Sequence, residues 1–320
     1  MNLNGSEIKV LKTVAKKERE SIGEVVRNTK ISYPHLSRIL KSLSEKGILE
    51  TRKRGLSKYV YFSDTKHAIL LKTFLSEFGH MHLDKILSGS ALVVLSPLAY
   101  SPLKKDEIIS FSQLSERTVQ SKLKILREFG IIIKKDKVTY EFNERFNLLR
   151  EFIIEFRNYM NHKMAIEFAN DAIILWQRGN EFLIKTSEFK ESEEFMLTSL
   201  SAYHKFSVQL FVPEYYYYFY SPFKRDLSVE DIILHTLVLD PTDTRLILGV
   251  LLLWKKVEKI NLDYMLKEST KYILQPTISA LETYFSSRGK IKPDHFPTWE
   301  EFQSKAMEYG LDGAQDVYQI

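Results

Sequence analysis

Apolar residues in the first 62 positions recur at helical spacing and then give way to strand-like runs. Leu36, Ile39, Leu40 and Leu43 fall at i, i+3, i+4 and i+7, which predicts a helix with one apolar face. Ser32 sits where an N-cap is wanted, its hydroxyl suited to an orphan N–H of the first turn. Gly47 sits where a left-handed stop is wanted. Ile48 and Leu49, then Tyr59, Val60, Tyr61 and Phe62, are strand formers, and the intervening residues 52–58 read Arg-Lys-Arg-Gly-Leu-Ser-Lys. Upstream, residues 4–17 turn Ile8, Val10, Leu11 and Val14 inward behind a cap at Asn4 or Ser6. Residues 21–29 do the same with Ile22, Val25 and Val26. Three helices followed by a basic hairpin predict a winged helix-turn-helix. Its last helix fits a DNA major groove and its hairpin reaches the neighbouring backbone.

The same unit recurs 83 residues later. Residues 32–48 align with 115–131 at 7 of 17 identical positions, among them Ser32/Ser115, Leu40/Leu123, Leu43/Leu126, Gly47/Gly130 and Ile48/Ile131. The identities fall on the cap, the core stripe and the stop. Helices are expected over 90–100, 104–111 and 115–129, followed by a shorter hairpin with Lys134, Lys135 and Lys137 at its tip. Arg117, Thr118, Gln120, Ser121, Lys122 and Lys124 are the exposed polar set of the third helix; the first five of these with the tip lysines are the second candidate DNA-contact group.

The remaining pattern divides the chain further. We read a first head at 1–63, a helical connector at 64–88, a second head at 89–143, a linker helix at 144–170 and a C-terminal domain at 171–320. The connector carries Ile69, Leu70, Phe74 and Leu75 at helical spacing. Its His80-x-His82 pair lies two apart, so the side chains diverge on a helix and no metal site is expected. Gly179-Asn180 between two β-rich runs predicts a hairpin. A helix is expected over 191–204 and strands over 208–212 and 215–220. The run Tyr-Tyr-Tyr-Tyr-Phe-Tyr at 215–220 reads as a half-buried strand, because no basic cluster accompanies the rings as base stacking would require. Further helices are expected at 228–239, with Ser228 and Asp231 as a capping box, and at 244–257, 262–267, 271–285 and 300–309. Asp240, Asp243 and Arg245 read as helix-end residues. The fold class is therefore mainly α with small β (α+β), with two winged heads before a mixed α/β and helical C-terminal part.

Charge sharpens the picture. The formal net charge is +5. Residues 1–62 hold 14 Lys and Arg against 6 Asp and Glu, and residues 89–142 hold 9 against 6, whereas residues 143–320 hold 20 against 26. The positive excess sits on the two heads, as polyanion binding requires. Cysteine is absent, which excludes disulfides, thiolate metal sites and cysteine nucleophiles. The longest apolar run, residues 246–254, is far short of a membrane span, and the opening Met-Asn-Leu-Asn-Gly-Ser-Glu lacks an apolar signal core. A cytoplasmic location is expected.

Residues 4–62 resemble the winged-helix domain of MarR/ArsR-type transcription regulators. The resemblance implies that the exposed face of the third helix meets base edges through Tyr33, His35, Ser37, Arg38 and Lys41, with Ser32 at its start. Arg52, Lys53, Arg54 and Lys58 would be hairpin contacts to phosphate or minor groove. The stretch 198–237, with its Tyr-rich run and Ser-x-Glu-Asp helix start, is similar to the C-terminal pattern of AbiE-type antitoxins, from which this chain departs in carrying two heads. The expectation is a DNA-binding transcription regulator, a repressor, that binds double-stranded DNA without cofactor or metal and forms a homodimer. The antitoxin resemblance implies instead a protein that neutralises a nucleotidyltransferase toxin and represses its own operon. No nucleophile–base pair, phosphate loop or carboxylate cluster suggests an enzyme.

Overall fold

The computed structural model describes residues 3–208, 214–224, 226–257 and 259–311. The chain divides into two compact units, Met1–Asn161 and His162–Ile320. The first is built from α1 (Gly5–Val14), β1 (Glu20–Ser21), α2 (Ile22–Thr29), α3 (Tyr33–Glu45), β2 (Leu49–Arg54), β3 (Ser57–Phe62), α4 (Lys66–Glu77), α5 (Leu83–Ile86), α6 (Ser90–Leu98), β4 (Leu103–Lys104), α7 (Lys105–Ser112), α8 (Glu116–Glu128), β5 (Ile132–Lys134) and β6 (Thr139–Phe142). The division falls inside α9 (Asn147–Phe168), which opens after a 3-10 turn over Glu144–Phe146. That turn, capped by Asn143, delays the helix beyond the expected 144.

Capping chemistry sets the first elements. Asn4 and Glu7 close a reciprocal box on α1, and Ser21 and Glu24 do so on α2. Glu7 then does more than cap. Its carboxylate is buried and takes Lys46 Nζ at 2.6 Å and Ser42 Oγ at 2.8 Å, which pins the end of α3 to the start of α1. A buried carboxylate costs desolvation unless paired and hydrogen-bonded, and both conditions are met here.

The two helix–hairpin segments share one topology. The first three-stranded sheet has order β1-β3-β2 and the second β4-β6-β5, all antiparallel. Each is preceded by a helix stopped in the same way. Gly47 N–H bonds Ser44 O and Ile48 N–H bonds Leu43 O; Gly130 and Ile131 repeat this on Arg127 and Leu126. Both glycines have positive φ, +64° and +71°, as this reversal demands. One continuous apolar core runs through the unit, from Leu3 and Leu36 through Phe74, Leu95 and Leu123 to Phe156.

The second unit contains β7 (Ile173–Arg178), β8 (Glu181–Thr186), β9 (Phe195–Leu197), β10 (Tyr216–Tyr220), α10 (Val229–Leu239), α11 (Thr244–Lys256), α12 (Leu262–Ser269), α13 (Gln275–Ser286) and α14 (Trp299–Glu308). The sheet order is β7-β8-β10-β9. The Tyr-rich run is the inner strand β10, with Tyr218 and Phe219 buried. The helix expected over 191–204 is absent. Phe195–Leu197 pair with Tyr218–Tyr220 instead, and a 3-10 segment, Ser199–Phe206, follows. Thr198 is extended and Ser199 has φ +50°, so the backbone breaks where the apolar spacing suggested continuity. Of the strand expected at 208–212, residues 209–212 lie outside the described residues. No helix among the described residues is long and apolar enough to cross a membrane.

Two apolar clusters form this unit, one on the sheet around Phe182, Phe195 and Tyr218, the other among helices α10 to α14. A buried polar chain joins sheet-side and helical residues. His235 Nδ1 lies 2.7 Å from Thr198 Oγ1 and its Nε2 lies 2.9 Å from Tyr272 Oη, while the ring lies 4.3 Å from that of Phe219. One turn earlier, Asp231 accepts from Lys224 Nζ at 2.5 Å and Tyr264 Oη at 2.8 Å. Burial pushes the His235 imidazole down to about 3. The unfolded chain therefore takes up a proton near pH 6.5 that the folded unit refuses, so stability falls as pH drops from about 6.5 toward 3. All three tryptophans, Trp176, Trp254 and Trp299, lie in this unit and report it by fluorescence. Their urea midpoint is expected to fall from pH 6.5 to 4 and to fall less steeply in His235→Gln. Equal slopes would remove His235 as the cause.

Candidate nucleic-acid interface

Helix α3 buries Leu36, Ile39, Leu40 and Leu43 and leaves Tyr33, His35, Ser37, Arg38 and Lys41 exposed, so the predicted polar face is the solvent face. Ser32 has N-cap backbone geometry, yet its hydroxyl makes no capping bond. Pro34 at the second helical position has no N–H, so the His35 N–H at the third is the donor left for a cap there, and Ser32 does not engage it. The exposed Ser32 hydroxyl is thus uncommitted at the head of the helix. Lys41 approaches Glu45 at 4.0 Å, but both are well exposed and such pairs are weak.

The first hairpin closes tightly. Arg54 pairs with Ser57, leaving Gly55 and Leu56 as a two-residue turn, with φ +60° at the glycine. Leu56 projects fully into solvent at the tip. Arg52 is engaged by Glu50 at 2.5 Å and lies over the Tyr61 ring, so its charge is partly spent within the hairpin. Arg38, Lys53, Arg54 and Lys58 are exposed and have no ion pair among the described residues.

The second helix–hairpin segment distributes its charge differently. Ser115 does cap α8, accepting from Thr118 N–H at 3.3 Å and meeting the Thr118 hydroxyl at 2.8 Å. That hydroxyl is thereby committed to the cap. Gln120 is held by Glu116 at 2.9 Å, and the same carboxylate takes Lys105 at 2.7 Å. Arg117 and Ser121 are exposed, whereas Thr118 and Lys122 are half-buried. At the tip, Asp136 accepts Val138 and Thr139 N–H groups at 2.8 Å each, which hold its carboxyl below the usual range and place an anion among the lysines. Lys134 donates to Lys137 O at 2.9 Å and Lys135 approaches Glu141 at 4.0 Å. Two exposed residues escape sequence reasoning: Leu56, because apolarity hides it among contact candidates, and Arg127, because its register partner is Ser44.

Residues 1–63 match the family model described as sugar-specific transcriptional regulator TrmB. That match supports a DNA-binding transcription regulator whose head is the first helix–hairpin segment. A second family model, HVO_2833_C, described by its C-terminal position, matches residues 192–311. No curated protein and no solved structure matches the chain, and the AbiE resemblance gains no support.

The two caps make opposite predictions for stability. Ser115→Ala is expected to cost about 1 kcal/mol. Ser32→Ala is expected to stay within about 0.5 kcal/mol of the parent. Urea denaturation followed by circular dichroism measures both; a cost at Ser32 equal to that at Ser115 contradicts an uncapped Ser32.

Proposed function

We propose that the chain is a transcription regulator that grips duplex DNA with two winged heads, Met1–Ser63 and 89–143, and represses by occupying its operator. The observation that carries this is the coincidence, in one segment, of a solvent-facing polar helix and a hairpin whose Lys53, Arg54 and Lys58 have no ion pair among the described residues. Unpaired cations release condensed counterions when they meet phosphates, which supplies the sequence-independent part of binding. Arg38, mid-helix and unpaired, is the residue able to fork onto guanine O6 and N7. Tyr33, His35, Ser37 and Lys41 surround it, and Ser32 offers its free hydroxyl to a phosphate. In the second head Arg117, Ser121 and Lys137 are the freest of the expected contacts, with Thr118, Gln120, Lys134 and Lys135 partly committed within the protein and Lys122 half-buried. Residues 162–320 hold 17 Lys and Arg against 23 Asp and Glu and stay off the duplex. We assign them to dimerisation, partner binding or sensing. The TrmB match reaches only the head, so the sugar named in that family's description is not carried over.

Fluorescence anisotropy on duplexes enriched from genomic fragments, in rising salt, tests the reading. With about six phosphates contacted, log K falls against log salt with a slope near −5. No binding at low salt ends the proposal. Lys53→Glu with Arg54→Glu is expected to weaken binding to all sequences and flatten the slope by about two. Arg38→Ala is expected to cost about 1–3 kcal/mol on enriched duplexes and little on random ones. An equal loss on both would make Arg38 a phosphate contact.

A further inference from the structure

The second head carries a feature that the first lacks. Two adjoining cavities, about 510 and 250 Å3, run along α8 where it faces the β5–β6 hairpin. They share Lys124 and Arg127. The larger continues to Lys134 over Gly130 and Ile132, and the smaller continues to Gln120 and Tyr140. Lys124 and Arg127 are exposed and have no ion pair among the described residues. The Lys134 ammonium is steadied over this cleft by the Lys137 carbonyl and by the Tyr140 ring, 5.7 Å away. Glu128 is the one acidic residue of the lining, and Lys105, also in the lining, is satisfied by Glu116. The cleft is therefore net positive.

The repeat supplies the internal control. The 83-residue register sets Lys41, Ser44 and Thr51 of the first head against Lys124, Arg127 and Lys134 of the second, so two of the three cations are particular to the second. The first head is also closed at the corresponding place. The Tyr159 ring covers Gly47 so tightly that an added Cβ would meet it at 2.5 Å, whereas nothing lies within 4 Å of the same point on Gly130. At Gly47 the protein's own side chain covers the turn; at Gly130 the turn is open and borders the cationic cleft.

The occupant follows from duplex geometry. A helix seated in a major groove, with its hairpin touching the duplex beside it, leaves one sugar–phosphate strand between them. That strand has to cross the helix–hairpin cleft. We propose that the cleft between α8 and the β5–β6 hairpin is a phosphate clamp, in which Lys124, Arg127 and Lys134 hold one backbone strand of duplex DNA without reading its bases. This assignment rests on the DNA-binding reading above. It gives the second head the task of affinity and leaves base selection to the first. Lys124 and Arg127 act as point and forked cations respectively, and Ile132 and Tyr140 offer an apolar floor to deoxyribose.

The test uses the full chain and two labelled duplexes, one enriched from genomic fragments by the parent protein and one of random sequence. Lys124→Glu with Arg127→Glu is expected to lose at least about tenfold in affinity on both duplexes and to shallow the salt slope by about two, near 0.9 per phosphate released. Both positions are exposed, so the fold is spared. The conservative pair Lys124→Arg with Arg127→Lys is expected to keep affinity and slope. If parent and charge-reversed chains bind alike, the clamp is overturned while the DNA-binding reading stands. A loss confined to the enriched duplex also overturns it, since the cleft would then be reading bases. Unchanged DNA binding with altered self-association in the charge-reversed chain overturns it in favour of an acidic protein segment. Failure of the parent to bind either duplex at low salt overturns both readings together.

Discussion

The reversal that joins each long polar-faced helix to its hairpin is the constraint on which the first unit depends. A helix of 13 residues has to end, turn sharply and deliver an isoleucine into the core within three positions. Gly47 and Gly130 do this by adopting left-handed backbone, and Ile48 and Ile131, fully buried, immediately follow. A side chain at either glycine would cost the left-handed conformation, and at Gly47 it would also collide with Tyr159. The glycine carbonyls are bound in turn from beyond the hairpin, by Thr65 Oγ1 at 2.8 Å in the first case and Asn143 Nδ2 at 2.8 Å in the second. Helix, turn, hairpin and the next element are thus locked at one point, and the angle between exposed helix and cationic strands is not free to vary.

Once that frame is fixed, charge placement differentiates its two copies. In the first, cations gather on the hairpin, and the acid that intrudes, Glu50, neutralises only Arg52. In the second, Asp136 sits in the tip itself because its carboxylate makes the turn, accepting two backbone N–H groups. Much of the unpaired positive charge moves to α8, at Arg117, Lys124 and Arg127, with Lys137 left at the tip. The shared fold therefore does not imply shared contacts. Which residues are available to a polyanion depends on which are already spent on caps, turns and internal pairs.

Local signals in the sequence were enough for much of this. The helix ends, the hairpins, the 83-residue repeat and the buried stripe of α3 follow from short-range spacing, and the Ser228–Asp231 capping box is present as expected. Ser32 takes up N-cap backbone geometry without the side-chain bond that its position suggested. Other misreadings arose where a distant partner overrode the local pattern. Phe195–Leu197 become a strand because β10 offers an edge some 20 residues later in the chain, which helical spacing cannot reveal. The ligation of Glu7 by Lys46 is invisible for the same reason, since 39 positions separate them. The polar face of α3 was legible in full, whereas the openness of the α8 cleft depends on what does not cover it, and that is a property of the folded chain alone.

A shared core has a further consequence for any two-point grip on a duplex. The apolar cluster of the first unit runs without a break from Leu3 to Phe156, through both helix–hairpin segments and the connector helices α4 and α5. Flexibly tethered modules spend part of their second contact on fixing the linker, and the gain depends on its length. Here the connector is packed: Leu71, Phe74 and Leu83 are buried, and Leu3 bridges to Ser88 to fasten the chain start against the connector's end. The spacing between the two exposed helices is set by side-chain packing, so a second contact needs no further ordering of the backbone between them. Weak individual contacts on such a frame sum with little entropic loss. On the proposed two-headed grip, the same packing would favour duplexes whose geometry fits both segments at once.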